Sequence, residues 1–402
     1  MLEKLLRSII REGSLAVRGP DGRLHAVGED PEPPVVHIRT WKALRRIARH
    51  PGLAVGEAYM DGDLVIERGA LYDFLAVATR NLQHAGRRSL LSWRPRNPRR
   101  AARRNVAHHY DLSGDLFRLF LDGDQQYSCA YFAHPGMSLE EAQVAKKRHL
   151  AAKLALKPGQ RVLDIGSGWG GMALTLAEEH GADVLGVTLS SEQLAASRAR
   201  AEARGLKDRV RFELQDYRDV AGAFDRIVSV GMFEHVGPAD YETYFKAIAR
   251  LLNKDGVAVL HTIGRTEPPR GGNAWIEKYI FPGGTIPSLS QIVPAIERAG
   301  LIVADIEVLR LHYAETLKAW RQRFAARREE AKALYDERFC RMWEFYLAGA
   351  EAGFREGSLV VFQVQMAKTR AALPLTRDYI TDFERTVANE NAAPASEARR
   401  SG

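Results

Sequence analysis

The chain has 402 residues, 46% of them hydrophobic and 27% charged, with 58 Lys and Arg against 50 Asp and Glu. That length allows two domains and a sizeable core, and the composition excludes a disordered or fibrous chain. Cys129 and Cys340 make no disulfide framework and point to a reducing, cytoplasmic compartment, and no run of about 18 apolar residues is present to span a bilayer.

Met1 to Arg11 is basic at intervals but lacks a long apolar stretch and a small-residue cleavage site, so it does not read as a signal peptide. Over 1–85, short apolar runs at Ser14–Val17 and Val35–Ile38 are separated by Pro-Asp-Gly and Pro-Glu-Pro-Pro turns, and helical patterns follow at Trp41–Arg49 and Leu71–Asn81. This predicts a smaller N-terminal α+β domain without a catalytic cluster. Residues 86–107 hold Arg87, Arg88, Arg94, Arg96, Arg99, Arg100, Arg103 and Arg104 and no acid, while Pro95 and Pro98 interrupt any helix. The segment reads as a linker; its charge suits solvent or an anionic lipid surface, where each arginine contributes about 1 kcal/mol. Nucleic acid is not expected, since no base-reading motif or stacking platform accompanies the charge.

Residues 108–385 form the expected catalytic domain. Leu139–Leu156 is predicted as a helix, opened by Ser138 with Glu141 three residues on. Strands at Arg161–Ile165, Val184–Val187, Val210–Leu214, Arg226–Val230 and Val257–Thr262 alternate with helical stretches. Such alternation predicts an α/β, doubly wound, mostly parallel sheet that binds ligands at the carboxyl ends of its strands. The first strand runs into Asp164-Ile165-Gly166-Ser167-Gly168-Trp169-Gly170-Gly171, followed by a helical Met172–Glu179. Glycine spacing alone leaves NAD, FAD and S-adenosylmethionine open. A dinucleotide enzyme ends its second strand in an acid, whereas Asp183–Ser191 ends without one. With Asp164 two residues before the first glycine, the pattern favours the cofactor loop of a Rossmann-like class I methyltransferase. Cys129, His235 and His261 are dispersed and lack metal-ligand spacing, so no metal is expected. The tail, 386–402, is expected to be disordered.

Gln126-Tyr127-Ser128-Cys129-Ala130-Tyr131-Phe132, the glycine loop, Gly186–Ser190, Gln215–Asp219, Phe224–Gly237, His261–Gly264, Lys278–Pro282 and Leu311-His312-Tyr313 occur in a characteristic order. In this the chain resembles the cyclopropane-fatty-acyl-phospholipid synthases, a mycolic acid cyclopropane synthase-like family of S-adenosylmethionine-dependent methyltransferases. Upstream, Val55–Gly62 is similar to that family's N-terminal domain, so residues 1–85 are expected to serve lipid association or dimerisation.

The resemblance implies an enzyme that transfers a methyl group from S-adenosylmethionine to the cis double bond of an unsaturated phospholipid acyl chain, forming a cyclopropane. It implies that Tyr127 and Ser128 hold the methionyl part of the cofactor with Asp164, Gly166, Gly168 and Gly170. Thr188 and Gln193 are implied for the ribose, and Asp216 with Tyr217 for the adenine. It further implies a bound bicarbonate as general base, held by Cys129, Glu234, His261, Tyr313 and the Ile263 amide. Phe281, Trp320 and Phe324 are expected to line the acyl channel, Tyr313 to lie in a strand-like segment, and His235 to cap or orient Glu234. Some relatives carry a second cysteine where this chain has Ala350, which makes a covalent cysteine mechanism doubtful here. A homodimer and peripheral attachment to the inner face of the membrane are also implied. A methyl- or methylene-branching enzyme, a small-molecule N-methyltransferase and a non-enzymatic lipid-binding protein stand as alternatives.

Overall fold

The computed structural model describes residues 2–84 and 113–386. The arginine-rich segment assigned to 86–107, and all but the first residue of the tail assigned to 386–402, lie outside these residues.

The N-terminal part builds a four-stranded sheet, β1 (Leu15–Arg18), β2 (Leu24–Val27), β3 (Val35–Ile38) and β4 (Leu64–Arg68), in the order β2-β1-β3-β4. The β1–β2 hairpin turns at Gly22, whose φ of +77° suits glycine. Thr40 caps the Trp41–Arg49 helix by accepting from the Ala43 amide, and the Pro51–Met60 helix follows at once with proline in its first turn. This is the expected α+β unit, but it does not stand alone. Its core includes Ala348 and Ala352 of the Glu337–Arg355 helix, and Leu75 of the Leu71–His84 helix lies 3.9 Å from where a side chain on Gly349 would begin. Small residues on that face let the two helices approach closely.

The larger sheet is the expected doubly wound one. Strands β5 (Arg161–Ile165), β6 (Asp183–Thr188), β7 (Val210–Leu214), β8 (Phe224–Val230) and β9 (Leu252–Arg265) are parallel, and the order β9-β8-β5-β6-β7 reverses direction between β5 and β8. A crevice opens at such a reversal, outside the carboxyl ends of the strands. Two further strands extend the sheet beyond the five expected: β10 (Ile302–Leu309) and β11 (Leu359–Ala367), with β11 antiparallel to both β9 and β10.

Tyr313 is not in a strand. It lies in the first turn of the His312–Ala326 helix, because Ala314, Leu317, Trp320 and Phe324 follow at helical spacing and all are buried. The Leu139–Lys153 helix carries the expected capping box, with Ser138 and Glu141 bonded reciprocally. No helix among the described residues is long and apolar enough to cross a membrane.

Candidate active site

The crevice is a cleft enclosing about 1210 Å³, its open mouth included. It is lined by Tyr127, Ser128, Asp164, Gly166, Gly168, Thr188, Gln193, Asp216 and Tyr217, nine of the ten residues expected to bind the cofactor. Each comes from the end of a strand or the turn after it, from the segment before the Leu139–Lys153 helix, or, for Gln193, from the first turn of the Ser191–Ala203 helix. Thr188, the last residue of β6, donates its hydroxyl to Gln193 Oε1 at 3.0 Å, so the two expected ribose ligands meet each other. Asp216 is held by Arg218, through Nε at 2.8 Å and Nη2 at 2.6 Å, and that pairing fixes its carboxylate at the β7 edge of the cleft.

Gly170, the tenth, is not part of the lining. It caps the Gly171–His180 helix at φ +84°, and a side chain there would meet Phe212 Cζ at 2.8 Å and Ser197 Cβ at 3.0 Å. Its glycine serves packing and backbone geometry. Gly166 must be glycine on two counts, with φ +80° and Met232 Cβ 2.7 Å from any added carbon. At Gly168, φ +53°, no protein atom lies within 4 Å of that position, which leaves its cleft side to a ligand.

Four buried polar atoms of the lining have no hydrogen-bond partner among the described residues: Asp164 Oδ2, Ser167 Oγ, Gln125 Nε2 and Trp169 Nε1. Burial pushes the Asp164 carboxyl up to about 7, with Lys146 pulling the other way. Gln125 also sits at φ +56°, a conformation a non-glycine residue holds only when its surroundings enforce it. Orphaned donors and acceptors beside a glycine floor fit an amino- and hydroxyl-bearing cofactor such as S-adenosylmethionine.

None of the five expected catalytic residues lines this cleft, but Cys129 and Glu234 are next in the chain to Ser128 and His235, which do. Cys129 follows Ser128, is fully buried, and belongs with Tyr313 to one apolar cluster against which Ile263 packs. Ala130 donates its amide to Thr316, one turn beyond Tyr313, and this ties the Cys129 segment to the His312–Ala326 helix. β8 ends at Val230, paired with His261, so the Ile263 amide has no next strand residue to bond. Glu234 takes it instead, Oε1 accepting from Ile263 N at 2.5 Å. The remaining oxygen, Oε2, is enclosed without a partner among the described residues, and burial raises the carboxyl above its ordinary range.

His261 is two residues back on the same face of β9 and almost fully buried. Its Nδ1 meets Gln363 Nε2 at 3.1 Å across β11. With that amide donating, the imidazole keeps its hydrogen on Nε2, which has no partner among the described residues. Burial holds His261 well below the usual histidine range, so the ring is neutral. Burial pushes the Cys129 thiol up. His235 faces the cofactor cleft, its ring 6.3 Å from Phe281, and burial draws it down to about 4.

Trp320 and Phe324 are buried in the same cluster as Cys129 and Tyr313, and Phe281 packs against it. Tyr127 joins the two regions: it lines the cleft, stacks on Trp320 at 5.2 Å and shares a 2.9 Å hydroxyl contact with Tyr346, which in turn meets Phe281 edge-on at 6.0 Å.

Gln125, Gln363 and Lys146 were not picked out in the sequence. Lys146 is the least expected, a fully buried lysine whose ammonium donates to Ser128 Oγ at 2.8 Å and Gln126 Oε1 at 2.6 Å. The signal available was its place in the inward register of Leu139, Ala142, Gln143 and Leu150.

A family model described as mycolic acid cyclopropane synthetase matches residues 97–364. The chain belongs to this family. A tuberculostearic acid methyltransferase of Mycobacterium tuberculosis is 41% identical over 358 residues, 83% of each chain. The cyclopropane-fatty-acyl-phospholipid synthase of Escherichia coli K12 is 39% identical over 349 residues, covering 84% of this chain and 88% of that one. The solved structure of mycolic acid cyclopropane synthase CmaA1 in complex with SAH and CTAB superposes with a TM-score of 0.62 at 37% identity, covering 66% and 97% of the two chains. This cyclopropane synthetase family member is therefore a methyltransferase that uses S-adenosylmethionine.

Proposed function

We propose that this enzyme methylates the cis double bond of an unsaturated phospholipid acyl chain and closes a cyclopropane ring. One arrangement carries the reading: a cofactor cleft backed by a dry aromatic cluster, with Glu234 Oε2 and His261 Nε2 buried and unsatisfied among the described residues. S-adenosylmethionine supplies an electrophilic methyl group when bound. Tyr127, Ser128, Asp164, Gly166 and Gly168 would hold its methionyl part, Thr188 and Gln193 the ribose, and Asp216 with Tyr217 the adenine.

An olefin is a weak nucleophile, and its alkylation leaves positive charge on the neighbouring carbon. The pocket walls must exclude water and offer no strong nucleophile. Cys129 meets the second condition, since a thiol kept protonated by burial is unreactive. Trp320, Phe324 and Phe281 meet the first, and aromatic faces also attract a cation, by about 0.5–2 kcal/mol. Bicarbonate supplies a general base when bound, and the two unsatisfied atoms fit such an anion. His261 Nε2, the Tyr313 hydroxyl and the Cys129 thiol would donate to it. Glu234, its carboxyl raised by burial, would share a proton with it, and its hold on the Ile263 amide sets where that proton sits.

Attachment to an anionic membrane through the arginines of 86–107, and pairing of two copies through the N-terminal domain, belong to the same proposal. A second reading is favoured by the 41% identity to the tuberculostearic acid methyltransferase: the same cation loses its proton elsewhere and gives a branched chain.

Expression in a host without cyclopropane fatty acids, followed by mass spectrometry with double-bond derivatisation, tests the proposal. Gain of one CH₂ with loss of the derivatisable double bond supports ring closure; gain of CH₂ with the double bond retained refutes it in favour of branching.

A further inference from the structure

The five side chains and amides grouped behind the cleft contain no cation. His261 is neutral, Glu234 is acidic, and Cys129, Tyr313 and the Ile263 amide carry no positive charge. An anion in a dry chamber without a fixed positive charge nearby is strongly disfavoured.

Lys146 reaches this group through Ser128, the residue before Cys129. It is fully buried, on the inward face of the Leu139–Lys153 helix. Its ammonium bonds Ser128 Oγ at 2.8 Å and Gln126 Oε1 at 2.6 Å, both neutral acceptors, and forms no ion pair with a carboxylate of the described residues. The adjacent Lys147 differs in this respect, pairing with Asp124 at 2.7 Å. The Asp122 and Asp124 carboxylates favour its charge without bonding it, yet an apolar side chain of similar length would fill the space at no desolvation cost. Nor is it needed to fasten the neighbouring backbone. Gln143 already does so, donating to the carbonyl of Ser128 at 3.0 Å and of Gln126 at 3.3 Å.

We infer that Lys146 is a positioning residue whose buried positive charge, set behind Ser128 and next to Cys129, allows the catalytic chamber to hold a small oxyanion. The inference rests on the bicarbonate reading above and names the residue that balances its charge. Burial draws Lys146 down to about 8, which leaves the ammonium mostly protonated at neutral pH. Its field opposes ionisation of His261 and favours the anionic forms of Asp122, Cys129 and Asp164.

The test compares wild type with Lys146→Met, which keeps length and removes charge, and Lys146→Gln, which keeps a polar head and removes charge. Methyl transfer to unsaturated phospholipid vesicles is measured in bicarbonate-depleted buffer as sodium bicarbonate is added back, and S-adenosylhomocysteine affinity and Tm are measured alongside. In both variants the bicarbonate concentration for half-maximal rate is expected to rise by about tenfold or more, with S-adenosylhomocysteine affinity within about threefold and Tm unchanged or higher. Should Lys146→Met fail to fold, Lys146→Gln carries the comparison. An unchanged bicarbonate requirement in a folded variant, or a loss of cofactor affinity that accounts for the whole rate loss, overturns the inference while leaving the bicarbonate reading intact. A wild-type rate indifferent to bicarbonate overturns both.

Discussion

Glu234 accepts the amide hydrogen of Ile263 at 2.5 Å, in the place where one more residue of β8 would otherwise pair with β9. The carboxylate thus finishes a sheet edge with one oxygen, while the other is buried without a partner among the described residues. The same residue is expected to be structural and chemical at once.

Glu234→Gln separates those roles. The amide keeps an acceptor for Ile263 but cannot share a proton, so turnover is expected to fall by about 10²-fold or more. Binding of S-adenosylhomocysteine, measured by calorimetry, is expected to stay within a few-fold of wild type. Near wild-type methyl transfer would remove Glu234 from the mechanism.

Gly168→Ala and Gly170→Ala should fail in opposite ways. At Gly168 the added methyl meets no protein atom and costs about 1–2 kcal/mol of backbone strain, but it projects toward the cofactor side of the cleft. Cofactor affinity is therefore expected to drop by more than stability does. At Gly170 the methyl collides with Phe212 and Ser197, and the larger effect is expected in Tm. Equal losses of cofactor affinity in the two variants would contradict this division.

Gly56 lies on the Pro51–Met60 helix against the indole of Trp275, 2.4 Å from the nearest ring atom to an added carbon. The next residue, Glu57, accepts from Lys278 at 2.7 Å and from the Tyr279 hydroxyl at 2.9 Å, and also bonds Arg46. Gly56→Ala must displace the 274–281 segment that leads to Phe281. The KM for lipid is expected to rise several-fold while S-adenosylhomocysteine affinity holds; an unchanged lipid KM in a folded variant would separate the N-terminal domain from the substrate side.

His149 supplies a pH-dependent part of the stability. Burial lowers its pKa, but hydrogen bonds to Glu307 and Glu384, each at 2.7 Å, outweigh burial and raise it above the ordinary value. A raised folded-state pKa stabilises fully below the unfolded value of about 6.5 and fades as pH climbs through the folded value. The Tm difference between wild type and His149→Gln is expected to be largest in mild acid and to shrink toward alkaline pH. A difference that grows with pH would reverse the assignment.

The strand and turn at Val162–Gly171 were legible because a buried parallel strand and a glycine turn are both local in sequence. The four other parallel strands were found for the same reason, and the cleft outside their carboxyl ends is lined by nine of the ten residues expected there. Gly170 falls outside the cleft lining because spacing cannot tell a glycine that clears room for a ligand from one that clears room for Phe212. β10 and β11 were missed because their partners are distant in sequence, and the β-favouring Leu311-His312-Tyr313 yielded to the helical spacing of the residues after it. Lys146 escaped because charge in a helix is ordinarily read as exposure.

Tyr127 is a party wall. Its ring borders the polar cleft and stacks on Trp320 of the aromatic cluster. If the acyl chain lies among those aromatics, as proposed, a change at Tyr127 is felt by donor and acceptor together, because one ring borders both.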